Sequence, residues 1–164
     1  MRKQILMQKL MFILVIISSV MIFTLSSQTA KVSDKLSMKV SKEILSVDKA
    51  PESKNTDAAV KARELVAFNN KVRQLAHSVL YAAFALSLYG ALRFSNVGML
   101  NSILLTLMAA GVISGLDEWN QSFHAGRGME FKDSVSDMIG AGLALIVGVL
   151  GRVVFWGQTA KHSI

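Results

Sequence analysis

Four long apolar runs dominate the pattern of hydrophobic and polar positions along the chain. They cover residues 10–25, 75–92, 97–116 and 135–156. A helix that rises about 1.5 Å per residue needs about 20 apolar residues to cross roughly 30 Å of hydrocarbon. Within lipid the backbone must satisfy its own hydrogen bonds, so runs of this kind indicate helices. The pattern predicts an all-α fold, a polytopic transmembrane helical bundle of about four spans.

The first apolar run admits two interpretations. Arg2, Lys3 and Lys9 precede it, and a basic stretch before an apolar run is also typical of a cleaved secretory signal. The chain turns polar at Ser26, and no clear small-x-small cleavage site precedes that point. We therefore expect this run to be retained as the first span.

The polar connections between the predicted spans differ in length. Residues 93–96 join spans two and three in a tight hairpin, and residues 117–134 form an acid-rich connection to span four. Residues 28–74 form a long polar segment with ten Lys or Arg and six acids. We expect this segment to be partly helical and to lie in solvent or on the membrane surface.

Two helices are predicted inside the long polar segment. Leu36, Val40 and Ile44 recur every fourth residue, which favours a short amphipathic helix. Thr56 or Asp57 is a suitable N-cap for a second helix, which would run without interruption into span two.

Composition agrees with a membrane protein of one domain over residues 1–164. The chain is 52% hydrophobic and 18% charged, against about 25% charged in an ordinary globular protein. The absence of Cys excludes disulfides, Cys-ligated metals and cysteine nucleophiles. A net charge of +7 is also found in nucleic-acid-binding proteins, but the apolar runs favour the lipid bilayer as the partner. We expect no nucleic-acid partner, and the sequence leaves the oligomeric state open.

Two observations predict opposite orientations of the bundle in the membrane. With four spans, six Lys or Arg lie on the side of the N-terminus and twelve on the other side. By count, the positive-inside rule places the long polar segment in the cytoplasm. The basic stretch before span one favours a cytoplasmic N-terminus instead, because the first helix usually dominates. We adopt the second orientation, a multi-pass protein of the cell membrane, and keep the first as the alternative.

Polar and ionisable residues collect at one end of the predicted bundle. They close spans one and three and open spans two and four, so four antiparallel spans place them on one side of the membrane. Ionisable groups at the membrane edge are costly and are therefore functional candidates. The residues at these span ends are Gln28, Arg73, His77, Asp117, Glu118, Asp133 and Asp137.

His77 is the candidate acid/base group of this cluster. It lies about one turn inside the membrane edge, and a neighbouring carboxylate would orient its ring for proton transfer. Asp117 and Glu118 are the candidate partners. Tyr81 shares a helical face with His77, because the two are four residues apart. The alternatives are a hydrogen-bonded packing histidine and a core or interface tyrosine.

The connection after span three carries a candidate anion clamp. If the helix of span three continues for a turn, Gln121 shares a face with Asp117 and Glu118. Arg127 stands between two glycines, which let the backbone approach a ligand, and an Arg so placed can clamp a phosphate or carboxylate. The alternative is a turn in which Arg127 neutralises nearby acids.

Two acids open the last span. Asp133 is placed to favour the helix dipole, whereas Asp137 lies deeper among apolar residues and is less simply explained as a cap. Together with His77, the carboxylates could also hold a hard divalent cation through oxygen ligands. Their spacing matches no fixed metal signature, so we predict no dedicated metal site and no other cofactor.

Small residues recur every fourth position in the last two spans. Gly111 and Gly115 form one stripe, and Gly140, Ala144 and Gly148 form another. Such stripes let helices pack closely in lipid. We expect them to bring the acids of span three close to Asp137.

The two polar segments together resemble the signatures of the VanZ-like family of bacterial membrane proteins. The first is NNKVRQLAHSVLYAAFAL, with an Arg, then a His, then a Tyr four residues later. The second is DEWNQSFHAGRGMEFKDSVSDMIGAGLAL, and the Ser-Ser-Gln that ends span one is a further shared feature. The positions that match the family are Gln28, Arg73, His77, Tyr81, Asp117, Glu118, Gln121, Arg127, Asp133, Asp137 and Gly140.

The chain also departs from the family pattern. Leu80 stands where the family often has a Glu, Gln74 where a Lys is common, and Ser78 where an aromatic residue is frequent. His124 replaces a more usual apolar residue. The missing Glu favours an essential acid in span three or four.

The resemblance implies a protein of the bacterial cell envelope, linked to susceptibility to the glycopeptide antibiotic teicoplanin. It implies no established reaction, and the convergence of His, carboxylates and Arg at one end of the bundle leaves two hypotheses. In the first, a membrane-surface enzyme acts on a lipid-linked or cell-wall precursor, with His77, Asp117 and Glu118 as catalytic groups. In the second, a non-catalytic accessory protein uses the polar cluster to dock a lipid headgroup, an antibiotic or a partner.

Overall fold

The computed structural model describes residues 2–28, 35, 37–41, 56–124 and 128–161. The regular structure among these residues is helical, as predicted. The four long helices are α1 (Arg2–Ser26), α2 (Thr56–Phe94), α3 (Met99–Gln121) and α4 (Phe131–Lys161). Each contains a stretch long and apolar enough to cross a membrane: Arg2–Ser26, Arg63–Phe94, Met99–Gln121 and Phe131–Arg152.

The helices extend beyond the apolar runs from which they were predicted. α2 begins at Thr56, so Thr56 and Asp57 lie in its first turn and not at the predicted N-cap position, and the helix continues without interruption through span two. α3 continues to Gln121, five residues past the predicted end of span three. Hydropathy marks only the part of a helix that lies in hydrocarbon, whereas Arg, Lys, Gln and Glu beside it are good helix formers.

Hydrogen bonds at both ends of the bundle establish an up-down-up-down arrangement. The start of α1 meets the end of α2, where the Gln4 side chain donates to the Phe94 carbonyl at 3.1 Å. The end of α1 meets the end of α3, where Asn120 Nδ2 donates to Ser27 Oγ at 3.0 Å. Successive helices are therefore antiparallel, and the predicted convergence of polar span ends is confirmed.

The predicted tight hairpin between spans two and three is also confirmed. Asn96 has a positive φ of 62°, a conformation that Asn tolerates better than most residues. The amide of Val97 donates to the Leu92 carbonyl at 3.0 Å, and the Asn96 amide donates to the Arg93 carbonyl at 3.3 Å. These two bonds form a Schellman motif, which ends α2 and satisfies its last carbonyls.

The side chains of α3 are distributed for a lipid environment. Its inner face consists of small or polar residues, including Ser102, Thr106, Ala110 and Ser114, while large residues such as Met108 are exposed. The Thr106 hydroxyl donates to the Ser102 carbonyl at 2.7 Å within the same helix. Small inner side chains permit close helix packing, and back-bonding satisfies their hydroxyls without water.

The predicted glycine stripe of the last span packs against α2. A Cβ at Gly140 would collide with the carbonyl oxygen of Ser78, and a Cβ at Gly148 would lie 3.0 Å from a methyl of Leu86. The stripe predicted in span three is wrong at Gly115, where a Cβ would meet nothing within 4 Å. The closest contact between α2 and α4 therefore depends on Gly140.

Part of the long polar segment folds against α2. Residues 37–41 are helical, and the Ser41 hydroxyl lies 3.5 Å from Asn69 Oδ1 in a buried contact. This supports the predicted short helix, although Leu36 and Ile44 lie outside the described residues.

Candidate functional site

The end of the bundle where α1 and α3 finish contains a cluster of buried carboxyl groups. Asp117 is fully buried, and Glu118 and Asp137 are only 3% and 2% exposed. Placing acids in an apolar surrounding is costly unless each is compensated by hydrogen bonds or opposite charge. The partners of these groups therefore define the site.

Gln121 bridges the two acids of α3. Its Nε2 donates to Asp117 Oδ2 at 3.0 Å and to Glu118 Oε1 at 3.2 Å. The bridge depends on the extra turn of α3, which puts residues three and four apart on one face, as the sequence predicted. The second oxygen of Glu118 accepts a 2.7 Å hydrogen bond from the Glu130 amide, which ties the connection before α4 to the cluster.

The two acids of α4 have different surroundings. Asp133 lies in the first turn of α4, where a negative charge favours the helix dipole, and accepts a 3.2 Å hydrogen bond from Gln74. Asp137 lies one turn deeper and accepts a 3.4 Å hydrogen bond from the Ser114 hydroxyl. Asp137 thus belongs to the buried cluster, whereas Asp133 borders it.

His77 enters the cluster from α2. Its Nδ1 lies 3.9 Å from Asp117 Oδ2, and its side chain is 14% exposed. This distance is longer than a hydrogen bond and within the range of an ion pair if the ring is protonated. The structure brings together the histidine and the carboxylate that the sequence paired.

Tyr81 lies below His77 on the same helix. It is fully buried and belongs to the apolar core with Ile22 and Phe84. Its hydroxyl has no hydrogen-bond partner among the described residues. Tyr81 lies one helical turn further into the bundle than His77 and close to Asp117, Asp137 and Ser114, so it borders the cluster.

A small cavity of about 10 Å³ lies among these groups, enough space for about one water molecule. Histidine and carboxylates around a single water position are a suitable arrangement for moving protons. The cavity is lined by Arg73, Gln74, His77, Glu118, Gln121, Asp133 and Asp137.

A second, larger cavity of about 300 Å³ lies on the other side of His77. Gln28, Arg73 and His77 contribute its polar wall, and the helical residues Ser37 and Val40 cover it. His77 and Arg73 line both cavities and therefore separate the carboxylate cluster from this larger space.

Exposed aromatic side chains surround the same end of the bundle. The rings of Trp119 and Phe123 pack edge to face with centroids 5.4 Å apart, and Phe131 is 84% exposed. Trp is enriched at the boundary between hydrocarbon and headgroups. From Trp119 we expect the cluster to lie near the level of the membrane surface.

Sequence reasoning missed three polar residues of the site. Gln74 donates to Asp133 and also to the Ser136 hydroxyl at 2.8 Å. Ser114 binds Asp137, and the Ser26 hydroxyl lies 3.5 Å from Gln121 Nε2. Helical spacing could have indicated two of them, because Gln74 is three residues before His77 and Ser114 is three before Asp117.

The proposed clamp, Arg127, lies outside the described residues, so its position relative to the cluster stays a prediction. In the described part of the chain, no three His, Cys, Asp or Glu side chains are grouped to hold a metal ion. The divalent cation stays an untested alternative to the predicted absence of a metal site.

Comparison with known proteins identifies the family. No curated protein and no solved structure matches the chain. The sequence profile of the VanZ/LLP1 family matches residues 10–152, which include parts of all four apolar helices and both halves of the cluster. The match and the helices together establish a multi-pass membrane protein. The chain belongs to the VanZ/LLP1 family.

Proposed function

We propose that the protein is a membrane-surface enzyme that performs acid/base chemistry on a lipid-linked substrate of the cell envelope. One observation carries this proposal. His77 approaches the buried Asp117 to 3.9 Å and borders a cavity the size of one water molecule, which the neighbouring carboxyl groups also line. A histidine oriented by a buried carboxylate beside a water position is the arrangement that general acid/base catalysis requires.

The geometry favours hydrolysis as the class of reaction. With Nδ1 directed at Asp117, His77 presents Nε2 as the proton acceptor. His77 would take a proton from the water as its oxygen attacks the electrophilic centre of the substrate. It would then give that proton to the leaving group as the bond between the leaving group and the electrophilic centre breaks. Asp117 would stabilise the positively charged imidazolium between these two steps.

Other residues of the cluster supply binding and orientation. Gln121 holds Asp117 and Glu118 in place through its two hydrogen bonds. Arg73 borders the cavity and is the described cation best placed to attract a phosphate or carboxylate. Arg127 would act as a second clamp from the connection before α4.

The biological setting of the proposal is the outer face of the cell membrane. With the N-terminus in the cytoplasm, the cluster faces cell-wall precursors that are carried on lipid. Turnover of such a precursor would alter the target of glycopeptide antibiotics, and hence susceptibility to teicoplanin.

The test compares the envelope lipids of cells that express the wild type, His77→Ala or Asp117→Asn. We expect the amount of one lipid species to change when the wild type is expressed and to stay unchanged when either variant is expressed. Teicoplanin susceptibility should change in parallel with that lipid. His124→Ala is the matched control, because the His124 ring contacts the Asn120 carbonyl and does not line the cavity. Identical lipids and susceptibility in all strains, at equal expression, would refute the proposal.

A second candidate function is a non-catalytic docking protein. It is favoured by the hydrogen bonds within the cluster, because Gln121, Ser114 and the Glu130 amide already donate to carboxylate oxygens. Carboxylates held in this way can have a purely structural role. Docking depends on charge and shape, so Arg73→Lys would reduce the effect gradually and His77→Ala would not abolish it. An enzyme loses its effect when the acid/base group is removed.

A further inference from the structure

Two apolar grooves run along α2 on the lipid-facing surface. A groove of about 410 Å³ separates α1 from α2, and a groove of about 690 Å³ separates α2 from α4. Leu75 and Val79 form the ridge between them, because both residues line both grooves. Each volume is within the roughly 300–1,000 Å³ typical of small-molecule sites.

The groove between α1 and α2 continues into the polar cavity beside His77. Leu25, Val72 and Ala76 line the groove and also line that cavity. A ligand can therefore extend from the membrane surface, past Ala76, into the hydrocarbon region without leaving the protein surface.

The polar cavity has the character of an anion site. Arg73, His77, Gln28 and Ser37 contribute donor groups, and no carboxylate is among the described residues that line it. The carboxylates lie instead around the water-sized cavity on the far side of His77. Guanidinium and imidazole groups in the wall of a cavity favour a phosphate or carboxylate headgroup over a neutral one.

The groove between α2 and α4 has a different polar end. At its polar end, Gln74 donates to Asp133 and to Ser136, and the Ser78 hydroxyl donates to the Ser136 carbonyl at 3.1 Å. These hydrogen bonds join the two helices and close that end of the groove. Lys71 is the cation among the described residues that line this groove, so it offers a headgroup one ammonium group, whereas the polar cavity offers the Arg73 guanidinium and the His77 imidazole.

We infer that the groove between α1 and α2 binds the hydrocarbon chain of an anionic, phosphate-bearing membrane lipid, with the phosphate beside Arg73 and His77. The inference deepens the proposed function and rests on it for the identity of the reacting end. The binding itself needs no catalysis, so it can be measured separately.

The test is photo-crosslinking of purified protein in phosphatidylcholine vesicles. The probe is a long-chain alkyl phosphate with a diazirine in its chain, and the matched control probe is the corresponding alcohol. We expect the phosphate probe to label residues 21–25 and 72–80. It should exceed the alcohol by about tenfold, the factor expected for one charge-assisted hydrogen bond.

Variants on the exposed side of α2 test the path. Ala76→Phe places a ring where the polar cavity meets the groove, and should lower labelling about tenfold, with Ala76→Val intermediate. Ala83→Phe is the control, since Ala83 is exposed on α2 and lines neither groove.

The outcomes separate the two proposals. Equal labelling by the phosphate and the alcohol, labelling centred on α4, or no effect of Ala76→Phe would each overturn the lipid site. Full labelling with no lipid turnover in cells would refute the enzyme and leave the lipid site standing.

Discussion

His77 of α2 and Asp117 of α3 approach each other to 3.9 Å between Nδ1 and Oδ2, although forty residues separate them in the chain. The contact depends on antiparallel packing of α2 and α3 and on the turn by which α3 exceeds its apolar run. Because Asp117 is fully buried and His77 is not, the pair connects the interior of the bundle with the membrane surface.

The first prediction concerns the bridge from Gln121 to the two acids of α3. Gln121→Glu keeps the size of the side chain but replaces a donor by a third carboxyl group. We expect a loss of about 3 kcal/mol or more in the free energy of unfolding, because buried acids would lose their shared donor. Thermal unfolding in detergent measures this loss.

Asn120→Asp is the matched control for that variant. Asn120 makes an exposed hydrogen bond to Ser27, so the same amide-to-acid change should cost less than about 1 kcal/mol. Equal losses in the two variants would show that Gln121 does not hold the cluster together.

The second prediction concerns the contact between α2 and α4 at Gly140. Gly140→Ala would force the Ala methyl against the Ser78 carbonyl and should destabilise the bundle by about 1–3 kcal/mol. Gly142→Ala, two residues away with nothing within 4 Å, should leave stability unchanged or higher. The measurement is the thermal unfolding midpoint of each variant, which should be lower for Gly140→Ala than for Gly142→Ala. The reverse order would contradict the close contact between α2 and α4 at Gly140.

The third prediction separates packing from chemistry at Tyr81. Tyr81 and Tyr89 both have buried hydroxyls without a hydrogen-bond partner among the described residues. Either Tyr→Phe change should therefore leave the free energy of unfolding within about 1 kcal/mol of wild type. Tyr81 lies close to Asp117 and Asp137, so we expect the enzymatic activity to fall about tenfold in Tyr81→Phe and not in Tyr89→Phe. Full activity in both variants would make Tyr81 a core residue alone.

The fourth prediction concerns orientation. Because the chain has no cysteine, Met129→Cys introduces a single thiol beside the cluster, and Met129 is exposed. We expect a membrane-impermeant maleimide to label this thiol in intact cells. Labelling only after lysis would place the cluster in the cytoplasm, as the count of Lys and Arg indicates.

Much of the fold follows from hydropathy and spacing alone. The apolar runs locate all four helices, Asn96 lies in the predicted hairpin, and antiparallel spans bring His77 and Asp117 to one end. The precise ends of α2 and α3 do not follow, because polar residues beside a span extend a helix without changing its hydropathy.

The remaining details depend on which face of each helix points inward. Gly115 and Gly140 have the same local pattern, but only Gly140 meets a neighbouring backbone. Spacing places Ser114 on the same face of α3 as Asp117, but its hydrogen bond to Asp137 depends on the packing of α3 against α4, which spacing within one helix does not reveal. Contacts between helices are set by rotation of each helix about its axis, and the hydropathy pattern constrains that rotation weakly in lipid.

The most direct test of the proposed site is a double-mutant cycle of His77 and Asp117. The quantity measured is the change in envelope lipids that expression of the wild type produces. It is compared with the change produced by His77→Ala, by Asp117→Asn and by the double variant. If the two residues act as one acid/base unit, each single variant loses about as much activity as the double variant. Losses that multiply, with the double variant far below either single one, would show independent roles and contradict the account.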